Sequence, residues 1–315
     1  MNDEVYAFKL GAVDCLSIMD GTAVYQASSF FANARQEEWE PLLRPYSDDP
    51  TKAPGPYTCL AVRMGVRWLL VDTGAGGHSP TTGRLLDNLR SAGITPADIE
   101  TVILTHGHPD HIGGNVDGDG RPVFPNARWV MGKDEWDVWT SDAELAKLPA
   151  GWAACARRNL PPLQARLELV DGGQEVAPGV RTVAAPGHTV GHLAVAIASG
   201  DEELLYLSDT ALHPVSLARP DWYNGFDADR EVAVETRRRL MDRAAAEHTL
   251  VHAFHFPFPS LGYVERRGDG WQWLPLVQST AGAAAAPPTR GEPLYFDHEY
   301  QSDADRARSG LPTSP

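Results

Sequence analysis

Cysteine is scarce in this sequence, and the few cysteines present are not paired by spacing. The 315 residues include three cysteines, Cys15, Cys59 and Cys155, which are odd in number and far apart. No Cys-x-x-Cys motif occurs, so the sequence indicates neither a disulfide framework nor a thiolate zinc site. We expect three buried, reduced thiols.

Long apolar runs and an excess of basic residues are also missing. No apolar stretch approaches the ~20 residues that a helix needs to cross a bilayer. The start, MNDEVYAFKLG, has neither the basic nor the apolar region of a signal peptide. We therefore expect a soluble, cytoplasmic protein with no membrane partner. The formal net charge of −15 repels phosphate backbones, so nucleic acid is not an expected partner.

Glycine and proline, by contrast, are plentiful, with 29 and 25 residues respectively. This composition favours a loop-rich β or α/β protein over a helical bundle. No linker divides the body of the chain, so we expect one domain over residues 1–279. The Ala/Pro-rich and then acidic stretch 280–315 is interpreted as a low-complexity C-terminal tail, with partial order expected around residues 294–296.

Apolar periodicity predicts strands that alternate with helices, as in a layered α/β protein. Residues 57–65 and 67–73 resemble a hairpin around Gly65. Helices are predicted at about 33–43, with Asn33 as the cap, at 81–92, and from Asp229 to about Glu247. Residues 134–165 are predicted to form helices or a loop over one face of the sheet. Further strands are predicted at 101–105, 167–170, 180–184, 193–198, 203–207, 249–254, 262–266 and 271–276.

The segment THGHPDH, residues 105–111, is the strongest chemical signal. It follows the predicted strand 101–105 and places His106, His108, Asp110 and His111 within six residues. Alternate residues of an extended segment share a face, so the first two imidazoles can point to the same side. Imidazole and carboxylate ligands suit zinc and similar divalent ions. A histidine-rich surface loop is the competing interpretation.

Three more candidate ligands stand at the ends of predicted strands. His188 lies in PGHTVGH, Asp209 lies in SDT, and His255 lies in AFHFP. α/β proteins build their sites from polar groups at strand ends. Each of these residues is weak by itself, because a single polar residue after a strand is more often structural.

The order of these motifs resembles the metallo-β-lactamase superfamily, and VDTG at 71–74 resembles its upstream motif. The resemblance covers about residues 57–258 and implies a four-layer αβ/βα sandwich. It also implies that His106, His108 and His188 hold one metal, that Asp110, His111 and His255 hold a second, and that Asp209 bridges both. Asp72 would orient the metal-binding loop without being a ligand, and His192 would be structural.

A hydrolytic mechanism is implied by this centre. Two cations about 3.5–4 Å apart share a water and lower its pKa towards neutrality, so that a bridging hydroxide can attack a carbonyl or phosphoryl centre. Asp110 can accept a proton and help to protonate the leaving group. Zinc is the expected ion, with manganese, iron and cobalt as alternatives.

The segment HFPFPSLGY at 255–263 is similar to the methyl parathion hydrolase branch, close to lactone-cleaving members. The expected substrate is a small apolar lactone, carboxylic ester or organophosphate ester. Acyl-homoserine lactonases often carry a Tyr three residues after the bridging Asp, where this chain has Leu212, followed by His213. Tyr223 is a candidate to fill the same space, and packing is its competing role; His213 is a candidate pocket residue or a surface one. Relatives are often homodimers.

Aromatic residues are frequent in the predicted loops. Several of them meeting at one mouth would form an apolar pocket. The candidates are Phe30, Phe31, Trp136, Trp139, Trp152, Trp222, Tyr223, Phe226 and Phe258.

Other activities on the same fold remain open. A flavodiiron-type oxidoreductase needs a carboxylate where His108 stands, and a persulfide dioxygenase uses one iron and fewer ligands. A nuclease would require a basic face, which the charge disfavours. A glyoxalase-type thioesterase is an alternative that the context of His255 fits poorly. A non-catalytic binding protein is expected to have lost ligands.

Overall fold

The computed structural model describes residues 3–276, so the predicted tail lies outside the described residues. The chain first forms a seven-stranded sheet in which spatial order follows chain order. Its strands are β1 (Val5–Leu10), β2 (Val13–Gln26), β3 (Lys52–Met64), β4 (Arg67–Val71), β5 (Ile99–Leu104), β6 (Arg128–Gly132) and β7 (Leu167–Val170). The first four are antiparallel, and β4 to β7 pair in parallel.

The second sheet also has seven strands, again in chain order across the sheet. They are β8 (Glu175–Ala177), β9 (Val180–Ala184), β10 (Leu193–Ser199), β11 (Glu202–Tyr206), β12 (Leu250–His252), β13 (Leu261–Arg267) and β14 (Gly270–Pro275). All neighbours are antiparallel except β11 and β12, which are parallel. A parallel pair needs a crossover connection, and the longest helix supplies it.

Nine α-helices between residues 3 and 276 connect the strands. They are α1 (Ala27–Phe30), α2 (Gln36–Leu43), α3 (Leu85–Ser91), α4 (Pro109–Ile112), α5 (Lys133–Thr140), α6 (Asp142–Leu145), α7 (Ala150–Asn159), α8 (Pro214–Ala218) and α9 (Arg230–Glu247). No helix in this part of the chain has both the length and the apolar character needed to cross a bilayer.

The side chains of β10 show how the layers are built. Leu193, Val195 and Ile197 belong to the core between the two sheets, whereas Ala194 and Ala196 belong to a second core beneath α9. This alternation follows from the two-residue period of a strand. Small residues on the outer face let the helix approach closely. The result is the predicted αβ/βα sandwich.

Two predicted helices begin later than the sequence suggested. The helix expected from Asn33 begins at Gln36 with Arg35 as its cap, because the Asn33 side chain instead bonds the backbone of Asp221 and Tyr223. The helix expected over 81–92 begins at Leu85. Here Gly83 has a φ of +87°, which belongs to a turn rather than a right-handed helix.

Candidate metal centre

Four connections at one edge of the two sheets carry the predicted ligands. The connection after β5 comes from the first sheet, and those after β9, β11 and β12 come from the second. All seven predicted ligands lie there in two groups: His106, His108, His188 and Asp209 in one, and Asp110, His111 and His255 in the other. Within each group, one candidate ligand atom per residue lies within 4.8 Å of the others. Only tertiary packing can produce this convergence, because the residues span 150 positions of sequence.

The first group is tightly packed and buried. His108 Nδ1 lies 2.9 Å from both His106 Nε2 and His188 Nε2. Asp209 Oδ2 lies 3.2 Å from His188 Nε2 and 3.7 Å from His106 Nε2. All four residues are buried. Three imidazole nitrogens and one carboxylate oxygen facing a common point form a donor set typical of a divalent zinc-like ion.

The second group shares the same carboxylate. Asp110 Oδ2 lies 3.4 Å from His255 Nε2 and 3.8 Å from His111 Nε2. Asp209 reaches this group as well, with Oδ2 3.3 Å from His255 Nε2 and Oδ1 3.2 Å from His111 Nε2. Asp209 therefore lies between the groups, where a bridging ligand would have to lie.

The hydrogen-bond pattern shows that these residues fit metal ions. A carboxylate can only accept, so His188 Nδ1, 3.0 Å from Asp227, and His111 Nδ1, 2.9 Å from Asp72, each carry a proton. Each Nε2 then presents a lone pair to the centre. Despite their 3.2 Å separation, His111 Nε2 and Asp209 Oδ1 form no hydrogen bond, and both lack a partner among residues 3–276. Bound cations would satisfy these buried atoms.

The protonation equilibria of His106, His108 and Asp209 favour the forms that bind metals. Burial, followed by the neighbouring histidines, lowers the pKa of His106 and His108 well below the usual value, so both imidazoles are neutral. Burial raises the pKa of Asp209, but neighbouring histidines outweigh this and hold it well below its usual value. Burial also lowers the pKa of His188, but hydrogen bonds to Asp209 and Asp227 raise it to about 9. A position that stabilises a proton this strongly also suits a metal cation.

Asp72 supports the metal-binding loop, as the resemblance implied. Its carboxylate accepts from Thr105 N at 2.9 Å, from Tyr206 Oη at 3.0 Å and from His111 Nδ1 at 2.9 Å. The residue is fully buried and has a φ of 62°, a strained conformation for a residue other than glycine. One carboxylate thus connects both sheets to a candidate ligand.

Two further imidazoles are oriented by backbone groups. His192 Nδ1 donates to the Ala185 carbonyl at 2.9 Å, so its Nε2 accepts from Asp209 N at 3.2 Å. Its predicted structural role agrees with these contacts. His255 Nδ1 donates to the Pro56 carbonyl at 3.2 Å, which directs Nε2 to the second group.

Sequence reasoning missed Glu135 of α5. Its carboxylate accepts from Gly107 N and from Gly191 N, each at 2.9 Å. It thereby ties the loop of His106 and His108 to the loop of His188. A Cβ at Gly107 would lie 2.3 Å from the Trp139 ring, so glycine is required there. An isolated glutamate in a helix gives no sequence signal for such a role. The signal is structural: the side chain is completely buried.

An apolar cavity opens on the centre. Its lining combines candidate ligands with aromatic and aliphatic side chains: Tyr25, Phe30, His108, Pro109, Asp110, Trp152, His188, Asp209, Leu212, Phe226 and His255. Of the aromatic residues predicted for a pocket, Phe30, Trp152 and Phe226 line it. Trp139 stacks against Trp152, with 6.4 Å between the two ring centroids.

The phenol at this cavity is not Tyr223, for which packing was the competing role. Tyr223 is not among the described lining residues; Arg230 covers its ring at 4.7 Å. Tyr25 of β2 lines the cavity instead, with its hydroxyl 2.6 Å from that of Tyr57. Sequence inspection missed Tyr25 because it lies more than 180 residues from the position compared.

His213 has a structural environment rather than a place in the cavity lining. Its Nδ1 accepts from Val215 N at 3.2 Å and caps α8. Its ring lies 6.4 Å from Phe30, 6.0 Å from Phe31 and 4.8 Å from Tyr46. The residue is 1% exposed, so the surface alternative was wrong.

The sequence model of the Metallo-beta-lactamase superfamily matches residues 53–247. The chain belongs to this superfamily. Its fold confirms the architecture expected of a member: AidC, described as a dizinc quorum-quenching lactonase, superposes with a TM-score of 0.80 at 26% identity, covering 88% of this chain and 100% of AidC. The hydrolase AbOPH superposes with a TM-score of 0.82 at 27% identity, covering 89% of this chain and 99% of AbOPH.

Among curated superfamily members, an N-acyl homoserine lactonase of Bacillus sp is 27% identical over 173 residues. The match spans 55% of this chain and 62% of that lactonase. The similarity therefore covers about three fifths of the curated relative.

Proposed function

We propose that the protein is a metal-dependent hydrolase that opens lactones or cleaves carboxylic or organophosphate esters at a centre for two divalent ions. The convergence of seven donors on one edge, with Asp209 between the two groups, carries this proposal. We assign His106, His108, His188 and Asp209 to one ion, and Asp110, His111, His255 and Asp209 to the other. Zinc is the proposed ion, supported by the dizinc neighbour AidC.

The bound ions would supply positive charge that lowers the pKa of a water molecule and stabilises negative charge on the substrate oxygen. Residues of the chain would carry out the proton transfers. Asp110 lines the cavity and its side chain is 14% exposed, so its carboxylate can take a proton from the attacking water. It can then return that proton to the leaving oxygen.

The cavity walls support an apolar substrate. Phe30, Trp152, Leu212 and Phe226 present hydrocarbon to the space beside Asp110 and Asp209. Such walls bind acyl or aryl groups and exclude bulk water from the reacting bond. The lactonase names of AidC and of the Bacillus relative support lactones as the first substrates to test.

A substrate panel tests this proposal. Metal-replete protein is assayed on N-acyl lactones of several chain lengths, aryl carboxylic esters, phosphotriesters and a glutathione thioester, and kcat/KM is ranked. Metal content is measured in the same preparation. Two ions per chain and highest kcat/KM on a lactone or ester support the proposal. One iron per chain with no turnover of any panel member would reject it in favour of an iron oxidoreductase; preferred turnover of a glutathione thioester would favour a thioesterase.

A further inference from the structure

A buried arginine on α9 holds the loop that carries Asp209. Arg237 is 1% exposed, and its guanidinium donates to Thr210 O at 2.9 Å, to Trp222 O at 2.6 Å and to Pro220 O at 3.2 Å. A buried guanidinium must satisfy its donors, and here backbone carbonyls accept from Nε and Nη1. Because Thr210 follows Asp209 directly, the arginine restrains the backbone of the candidate bridging residue.

A buried carboxylate next to this arginine orients His188. Asp227 Oδ1 accepts from His188 Nδ1 at 3.0 Å and from Asn224 Nδ2 at 2.8 Å, while Oδ2 accepts from Asn224 N at 3.2 Å. Arg237 Nη2 lies 3.9 Å from the same Oδ2. With its Nδ1 proton held by Asp227, His188 can turn only Nε2 towards the centre.

The residue before Arg237 on α9 contacts the connection that carries His188. Thr236 Oγ1 donates to Pro186 O at 2.8 Å, two residues before His188. Two consecutive helical residues thus contact both the His188 connection and the Asp209 connection. A rigid helix bonded to both is a physical means of fixing the distance between the two ligands.

We propose that Arg237 and Asp227 are positioning residues that set the geometry of the metal centre from α9. Asp227 fixes the ring of His188, and Arg237 fixes the Asp209 loop together with the segment 220–222 that leads to Asp227. This inference rests on the proposed function, because it requires a metal at His188. Asp227 acts on one ion only, whereas Arg237 acts on both through Asp209.

Metal titrations test this assignment. Metal-free wild type, Asp227→Asn, Asp227→Ala and Arg237→Lys are titrated with zinc against a competing chelator, and with cobalt(II) while the visible absorption is recorded. Both Asp227 variants should lose about 10- to 100-fold in affinity for one ion, the usual effect of removing a hydrogen-bond partner of a ligand. Arg237→Lys, whose single ammonium cannot reach three carbonyls, should weaken both ions. The cobalt spectra should change in all three variants.

A matched control comes from the same helix. Arg243 donates to Glu203 at 2.6 Å and to Glu247 at 3.0 Å, and neither residue is a candidate ligand. Arg243→Gln should keep wild-type affinity for both ions and the wild-type cobalt spectrum. Thermal unfolding of each metal-free variant separates loss of folding from loss of affinity; if Asp227→Ala does not fold, the isosteric Asp227→Asn decides the result.

The possible failures are distinguishable. If the wild type bound no metal, the proposed function itself would fail. If the wild type bound two ions and the folded Asp227 and Arg237 variants bound them with unchanged affinity and unchanged cobalt spectra, only the positioning role would be overturned.

Discussion

Asp209 contacts residues of both groups of the candidate centre. Its carboxylate lies within 3.3 Å of His111, His188 and His255, and its backbone N–H is bonded to His192. Removing it would leave several buried imidazoles without a shared partner. The chemistry proposed for the centre therefore depends on the two carboxylate oxygens of Asp209, which contact imidazoles of several loops.

Asp209→Ala and His108→Ala should each abolish hydrolysis while the chain stays folded. Loss of a residue that merely supports a ligand costs about 10- to 100-fold, so loss of a ligand should reduce kcat/KM by at least about 100-fold. Steady-state assays at limiting zinc, with circular dichroism to monitor folding, measure this effect. The exposed histidine variant His78→Ala should behave as wild type. Full activity of either ligand variant at limiting metal would refute the assignment.

His213 should make folding sensitive to acid. Burial lowers its pKa to about 3, below the ~6.5 of an exposed histidine. The unfolded chain thus binds a proton that the folded chain excludes, and stability is lost as pH falls below about 6.5. Between pH 7.5 and 5 this residue alone should cost about 2 kcal/mol of unfolding free energy.

Denaturant unfolding of wild type and His213→Asn at the two pH values measures this loss. Asparagine keeps a side chain that caps a helix but does not titrate. The difference in unfolding free energy between pH 7.5 and 5 should shrink by about 2 kcal/mol in the variant. An identical pH dependence in both proteins would show that His213 is not the source.

At the scale of secondary-structure elements, two helices hold the ligand loops in place. Glu135 of α5 bonds the backbone of two ligand loops that belong to different sheets, and residues 236–237 of α9 bond two loops of the second sheet. In both cases a polar group from a rigid helix satisfies the backbone of an irregular segment. The loops can therefore be irregular and still be fixed.

Glu135→Ala should destabilise the protein and loosen both loops. It leaves the buried N–H of Gly107 and the partly buried N–H of Gly191 without their acceptor, at a cost of about 2–4 kcal/mol. Urea unfolding of the metal-free protein measures the loss. The neighbouring exposed residue Asp134 offers a control, because Asp134→Ala removes no buried acceptor and should cost less than about 1 kcal/mol. Equal losses in the two variants would contradict the proposed tie.

At the scale of the whole molecule, the candidate centre joins the two sheets. His106, His108, Asp110 and His111 follow β5 of the first sheet, whereas His188, Asp209 and His255 follow strands of the second. Ions bound to both sets would act as cross-links between the two layers. Metal binding is then also a contribution to folding stability.

Removal of metal should lower the Tm of the wild type and restoration of zinc should raise it again. An ion present at 100 times its Kd stabilises by about 2.7 kcal/mol, and for a chain of this size that corresponds to roughly 4–5 °C. Differential scanning calorimetry with and without chelator measures the shift. Asp209→Ala should show little response to either treatment; a full wild-type shift in this variant would place the stabilising metal elsewhere.

The sequence by itself determined the superfamily and the seven candidate ligands. This was possible because the polar motifs follow apolar strands directly and their order along the chain resembles that of the superfamily. Asp20 shows the limit of what the sequence indicates. Its carboxylate accepts from the backbone N–H groups of Ala75, Gly83 and Leu85, which are distant in sequence, and no local motif predicts these contacts.

Tertiary structure alone decided which residues support the centre and line its cavity. Glu135 and Arg237 act through contacts with backbone groups far along the chain, Asp227 acts through the side chain of His188, and Tyr25, not Tyr223, supplies the phenol of the cavity. A ligand motif is a short stretch of sequence, so its residue types and spacing indicate its metal-binding chemistry. A supporting contact pairs one ordinary polar side chain with a group far along the chain, and that pairing exists only once the two sheets and α9 have packed together.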